Sequence, residues 1–132
     1  MTEKLEFYKC NICGNIVQVV FEGVGELTCC GEKMTKLEPQ TEENSELGEK
    51  HVPVIETDVN GRFVRLTKHP MLEEHYIQLI QAVSKDKSVV HFKYLRPEES
   101  AEFDITGYGE LSCTLELCNI HGLWKSEEKE NK

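Results

Sequence analysis

Val54-Ile55-Glu56-Thr57-Asp58-Val59-Asn60-Gly61-Arg62-Phe63-Val64-Arg65-Leu66 decides the fold class. β-Branched and aromatic residues alternate with polar ones on either side of Val59-Asn60-Gly61. Asn-Gly is the dipeptide that a tight reversal between antiparallel strands selects. Val54–Asp58 and Arg62–Leu66 therefore read as the two arms of a hairpin. Downstream, Tyr76–Val83, Val89–Leu95, Glu102–Thr106 and Glu110–Leu117 are alternating or β-rich, and Gly, Pro, Asp or Ser separates most of them. About seven short strands in roughly 85 residues predict an antiparallel, immunoglobulin-like β-sandwich. A single helical turn is expected at Met71-Leu72-Glu73-Glu74. The charged end, Ser126–Lys132, is expected to fray.

Upstream of the hairpin the chain changes character near residue 39. Residues 1–38 hold four of the six cysteines and none of the five histidines; residues 49–132 hold the rest. Between them Pro39-Gln40-Thr41-Glu42-Glu43-Asn44-Ser45-Glu46-Leu47-Gly48 is polar and acidic and reads as a linker. A segment of 38 residues is too small to hold itself together by apolar burial and needs a metal or disulfides. Alternation in Ile16-Val17-Gln18-Val19-Val20-Phe21 and in Met34-Thr35-Lys36-Leu37 predicts short strands around such an ion. The whole chain is expected to be all-β: a small metal-held domain (1–38), the linker (39–48) and the sandwich (49–132).

Composition narrows the function. The chain has 132 residues, a formal net charge of −9, 39% hydrophobic and 30% charged residues. Four basic and six acidic residues precede position 39, eleven and eighteen follow it, so neither half is a basic module. Nucleic acid is excluded as an expected partner, because binding it needs a basic patch that displaces counterions. No apolar run approaches the roughly 20 residues that cross a bilayer. The start, Met1-Thr2-Glu3-Lys4-Leu5-Glu6, lacks the apolar stretch of an export signal. The expected compartment is the cytoplasm, where thiols stay reduced and clustered cysteines bind metal or do redox chemistry.

Cys10-Asn11-Ile12-Cys13 and the adjacent pair Cys29-Cys30 have the count of a tetrahedral tetrathiolate site. Gly14 and Gly31, one after each pair, let the backbone fold back so that N–H groups approach sulfur. Zinc ribbons supply two C-x-x-C halves, and adjacent cysteines distort the angle between their sulfurs. The sequence leaves zinc and iron both open, with a disulfide between the adjacent pair as the weaker alternative.

The remaining ligand-type residues are His51, His69, His75, His91, His121, Cys113 and Cys118. Cys118-Asn119-Ile120-His121-Gly122 has a mechanical logic: a thiolate at a strand end and an imidazole across a tight turn meet at one ion. The turn leaves the N–H groups of Ile120 and His121 free to donate to the sulfur. His91 lies within a strand, and Cys113 faces away from Cys118 if that strand is regular, so both are expected to pack without a chemical role.

Taken together, C-x₂-C-x₁₅-C-C resembles desulforedoxin. The settings Glu49-Lys50-His51-Val52-Pro53, Lys68-His69-Pro70-Met71 through His75, and Cys118 through Gly122 resemble the catalytic domain of superoxide reductases. The resemblance covers essentially the whole chain in the two-iron desulfoferrodoxin form. It implies a desulforedoxin-like Fe(Cys)₄ centre on Cys10, Cys13, Cys29 and Cys30. It also implies a second iron held by His51, His69, His75 and His121 with Cys118 axial and the sixth position open. The implied activity is one-electron reduction of superoxide to hydrogen peroxide, with rubredoxin or a similar carrier as electron donor, in a homodimer. Lys50 is implied as the local cation that guides the anionic substrate, and Glu49 as the carboxylate that fills the sixth position once the iron is ferric. Two rival readings remain at this level: a two-site electron-transfer protein without substrate, and a zinc-ribbon binding module.

Overall fold

Short apolar–polar alternation builds sheets throughout, and only one short helix interrupts them among the described residues. The computed structural model describes residues 1–41 and 45–127. The chain divides into two compact units, Met1–Glu38 and Pro39–Lys132.

The first unit pairs β1 (Phe7–Lys9) with β2 (Ile16–Gln18) on one side and β5 (Thr35–Leu37) on the other, both antiparallel. Between them β3 (Thr28–Cys29) and β4 (Glu32–Lys33) form a minimal hairpin, Cys29 opposite Glu32. The residues that reverse it, Cys30 (φ 55°) and Gly31 (φ 77°), both sit in the left-handed region. Tight two-residue hairpins require this, and glycine supplies it at little cost. Few apolar side chains in this unit are buried; Phe7, Cys10 and Val19 are. Burying a large aliphatic or aromatic side chain contributes only about 1.5–3 kcal/mol. That is too little to order a unit of this size, which leaves the sulfur cluster to do so.

The second unit stacks two sheets. One has the order β10–β7–β6, from β6 (Val54–Asp58), β7 (Gly61–Arg65) and β10 (Glu102–Asp104). The other has the order β12–β11–β8–β9, from β8 (Ile77–Ser84), β9 (Val90–Tyr94), β11 (Leu111–Cys118) and β12 (Gly122–Glu127). Val64 and Phe103 from the first sheet, with Leu66 just past β7, meet Ile77, Ile80, Ala82 and Leu111 from the second in one buried cluster. The architecture is the expected all-β sandwich.

Several local features differ from the sequence reading. The β6–β7 reversal uses Val59-Asn60, with Asp58 opposite Gly61. The Asp58 carboxylate accepts from the Asn60 N–H at 2.8 Å and draws the turn one residue earlier than Asn60-Gly61. No helical turn forms at Met71–Glu74. Leu72 and His75 exchange two backbone hydrogen bonds there instead, and Met71 takes φ 48°. Ser126 belongs to β12, paired with Thr114, as does Glu127 opposite Cys113; the rest of the end expected to fray lies outside the described residues.

The stretch 39–48 carries structure at both ends. Gln40 bonds along β12 through Gln40 N–Leu123 O and Lys125 N–Gln40 O, both 2.9 Å, and so covers that sheet edge. Glu46–His51 is a helix, α1, capped by Ser45, whose Oγ accepts from Gly48 N at 2.9 Å. No helix of the described residues is long and apolar enough to cross a membrane.

Candidate metal centres

The first cluster grows from two turns. The Ile12 and Cys13 N–H groups each donate to Cys10 Sγ at 3.4 Å. They hold the Cys10 thiol down at about 6, well below its ordinary value. Gly14 (φ 84°) makes this approach feasible. The β3–β4 reversal delivers the other pair: Cys29 Sγ lies 3.6 Å from Cys13 Sγ and 3.9 Å from Cys30 Sγ. All four sulfurs lie within 4.8 Å of one another. A tetrahedral ion with metal–sulfur bonds of about 2.3 Å sets its sulfurs about 3.8 Å apart, so the spacing fits one ion. Crowding with Cys13 and Cys10 pushes the Cys29 thiol up to about 12. A second thiolate is thus opposed until a cation arrives. The adjacent cysteines reach one centre because Cys30 adopts the left-handed conformation. All six cysteines are free, so no disulfide joins Cys29 to Cys30.

In the second unit four imidazoles from three segments form a square. Neighbouring ring centroids lie 4.7 Å apart for His51–His69, 4.6 Å for His69–His75, 4.9 Å for His75–His121 and 4.9 Å for His121–His51. Neighbours stand nearly perpendicular, whereas His51 and His75 face each other across the square, 6.1 Å apart and only 25° from parallel. Half that diagonal is close to a metal–nitrogen bond of about 2 Å plus the ring's own radius. Cys118 completes the set: its Sγ is 3.5 Å from His69 Nε2. The ligand atoms of His51, His69, His75 and Cys118 all lie within 4.8 Å of one another.

Backbone hydrogen bonds aim two of these rings, and at His69 the Met71 N–H donates to Nδ1 at 3.4 Å. His51 Nδ1 meets Leu47 O at 2.8 Å, one turn back in α1, so that nitrogen carries the proton and Nε2 turns its lone pair inward. His51 Nε2, His75 Nε2 and His121 Nδ1 are buried with no hydrogen-bond partner. Native interiors rarely leave such groups unpaired, and an ion at the centre of the square supplies the partner. Burial, then the neighbouring rings, pushes His69 down to about 3. Burial likewise lowers His51 and His75, so these imidazoles are neutral donors. Burial raises the Cys118 thiol, opposed by the N–H groups of His121, at 3.4 Å from the sulfur, and of Ile120. That is the donor pattern expected of the Cys118–Gly122 turn, with Gly122 at φ 86°. The residues fit a metal ion at both clusters.

Around the square, Trp124 stacks on His51 at 5.0 Å and its Nε1 donates to His121 O at 3.1 Å. Lys50 is exposed on α1, and its charge depresses His51, His69 and His75 alike. Glu49 is also exposed and pairs with Lys68 at 3.6 Å. His91 stacks on Tyr108 at 3.8 Å and Cys113 is buried; neither joins a cluster.

Sequence reasoning overlooked Glu116. It lies opposite Ile80 in the register of β11 and β8, buried, with neither carboxyl oxygen partnered, and burial pushes its carboxyl well above the ordinary range. Leu115-Glu116-Leu117 reads as a strand with its glutamate outward. Because β11 is buried on both faces, that alternation carried no signal of direction.

The comparisons agree with these sites. Residues 2–37 match the family model "Desulfoferrodoxin, N-terminal domain" and residues 43–127 the model "Desulfoferrodoxin". A desulfoferrodoxin homolog of Archaeoglobus fulgidus is 43% identical over 96% of this chain and 99% of its own length. A superoxide reductase of Thermococcus kodakarensis is 33% identical over 61% of this chain and 86% of its own. Among solved structures, the superoxide reductase from Treponema pallidum shares the fold, with TM-score 0.71, 23% identity and coverage of 96% and 100% of the two chains. The Cys₄ set and the four-histidine, one-cysteine set match the two iron centres of desulfoferrodoxins. By sequence along nearly its full length, and by both sites, the chain belongs to the desulfoferrodoxin family.

Proposed function

We propose that the protein is a superoxide reductase: superoxide, one electron and two protons yield hydrogen peroxide. In this reading Cys10, Cys13, Cys29 and Cys30 hold one iron, and His51, His69, His75, His121 and Cys118 hold the other. Residues 1–38 form the electron-handling domain, 39–48 the connection and 49–132 the catalytic domain. The observation that carries the reading is the square of four imidazoles, with ring nitrogens of His51, His75 and His121 buried and unpartnered, beside the Cys118 sulfur that the His121 N–H meets at 3.4 Å. These five donors would hold a ferrous ion that supplies the electron for superoxide, with a position left over for substrate, and the cysteine sulfur among them would raise the electron density available for transfer.

The chain's own residues supply the rest. Lys50 brings positive potential to the site on a molecule whose net charge of −9 repels an anion at longer range. Its ammonium also orients water for delivery of the two protons. In this reading Glu49, which pairs with Lys68 at 3.6 Å, is the carboxylate that closes the site after turnover. The N–H groups of His121 and Ile120 oppose the burial that raises the Cys118 thiol, so the sulfur would ionise when a cation binds beside it. In the first unit Cys13 and Cys30 are exposed, which suits entry of an electron from a rubredoxin-like carrier. Val20, Phe21 and Val24 are exposed there too and offer surface for pairing in a homodimer. A cytoplasmic location keeps all six thiols reduced.

Pulse radiolysis with product counting tests this. The reductase forms one peroxide per superoxide consumed with no O₂ released, given a donor; a yield of one peroxide per two superoxides makes it a dismutase. Zinc at both sites, found by metal analysis of the isolated protein, would end the proposal. Lys50→Met should slow capture of superoxide and flatten its dependence on ionic strength.

A further inference from the structure

The segment that carries His75 lies just before β8, which begins at Ile77, so no sheet ladder holds the ligand itself. Every backbone polar group from Glu74 O to Tyr76 O nonetheless has a partner. Leu72 N–H donates to His75 O at 2.7 Å and His75 N–H to Leu72 O at 3.1 Å, which closes the turn across Glu73 and Glu74. The other three groups are all taken by one residue, Asn119. Its Nδ2 donates to Glu74 O at 3.1 Å, its Oδ1 accepts from Tyr76 N at 2.9 Å, and its backbone N–H donates to Tyr76 O at 3.1 Å. A planar amide that spends donor and acceptor on the peptide groups either side of a single residue fixes where that residue stands and which way it points. Asn119 lies between Cys118 and His121, in the turn that already supplies a thiolate and an imidazole.

We propose that Asn119 is a positioning residue that locks His75 to the Cys118–Gly122 turn, so that this one turn sets three of the five donors of the second centre. The inference rests on the reading of that centre as a metal site. No side chain of the same length does the same: aspartate keeps the acceptor for Tyr76 N but has no donor for Glu74 O, and serine is too short to span both.

A double-mutant cycle on the full chain tests it, with Co²⁺ added to the metal-depleted protein as the probe. Binding is read from the absorption of the second site, whose single thiolate separates it from the multiple-thiolate bands of the first. Asn119→Ala should weaken Co²⁺ binding at the second site by about 10- to 100-fold, as loss of an outer partner of a ligand does. Asn119→Asp should fall between that variant and the wild type. In a His75→Ala background Asn119→Ala should change the affinity by less than about twofold, since its effect passes through His75. Binding at the first site should be unchanged in all of them. The inference is overturned if Asn119→Ala binds Co²⁺ like the wild type, or if it costs as much without His75 as with it, the sign of a general collapse of the turn. Absence of Co²⁺ binding at the second site of the wild type, or an unchanged affinity in His75→Ala, would instead overturn the reading of the site, and the inference with it.

Discussion

Glu6 shows how one side chain can give the small N-terminal unit its acid limit. The Lys36 ammonium, 3.0 Å away, is the main reason its carboxyl is held down to about 2, helped by the Glu3 N–H at 2.9 Å and the Tyr8 hydroxyl at 2.8 Å. The folded value lies below the ordinary 4.5. Glu6 therefore contributes stability that is fully present above the unfolded value and is lost as pH falls through about 2. Glu6→Gln should reduce the stability of the first unit at pH 7 and lessen its decline between pH 5 and pH 2. Denaturation followed by the tetrathiolate absorption at each pH checks this, and parallel curves for both proteins would refute it. The pairing of Glu6 with Lys36, thirty positions apart, was not legible in the sequence. It depends on β1 and β5 being neighbours, and alternation identifies strands without saying which ones pair.

At the scale of elements, the reversal between β3 and β4 is what lets adjacent cysteines serve one centre. Gly31 has open space around its Cα but a φ of +77°, so a side chain there meets strain rather than a clash. Gly31→Ala should cost about 1–2 kcal/mol and weaken metal retention at the first site. Gly23→Ala, where there is open space and no left-handed backbone, should be nearly neutral. Thermal melts of the two variants side by side would decide, and equal losses would deny the turn its role.

Strands β6 to β9 and β11 were readable within a residue, because each runs over five or more β-rich positions; β12 was not, since Gly122–Glu127 opens on a turn glycine and ends in charge. α1 was not. It has six residues, too few to show a helical period, and Gly48 lies inside it. Its only local signature is Ser45 followed by acidic residues, which reads equally well as a polar connection. The helix matters because it carries His51 and Lys50. β1 and the β3–β4 hairpin also escaped notice, at two or three residues each, since their pairing answers to the cysteines rather than to apolar patterning.

The molecule as a whole divides its stability as it divides its chemistry. Unit one buries little and depends on its sulfur cluster, whereas unit two has a core of its own. Cys13→Ser should therefore unfold residues 1–38 while the second site keeps its metal. Cys118→Ser should empty the second site while the sandwich stays folded and the first centre keeps its colour. Metal content per chain, with circular dichroism, reads both outcomes; loss of both metals in either variant would show the units to be interdependent. The four cysteines of the first cluster were legible from their count and spacing, whereas the set of four histidines and Cys118 came from the family resemblance, since spacing alone left His91 and Cys113 among the candidates. What spacing could not supply was the arrangement: the square, its three buried unpartnered ring nitrogens, and the buried glutamate on β11 all depend on which strand lies beside which.

Trp124 lies nearly parallel to His51 and is the chain's one tryptophan. Its excited state would be quenched by a transition ion held in that imidazole, and its emission has no second indole to obscure it. The protein thus carries an intrinsic fluorescent gauge of its own loading, bright when the second site is stripped and dim when it is filled, legible in a crude mixture of variants without dye or label.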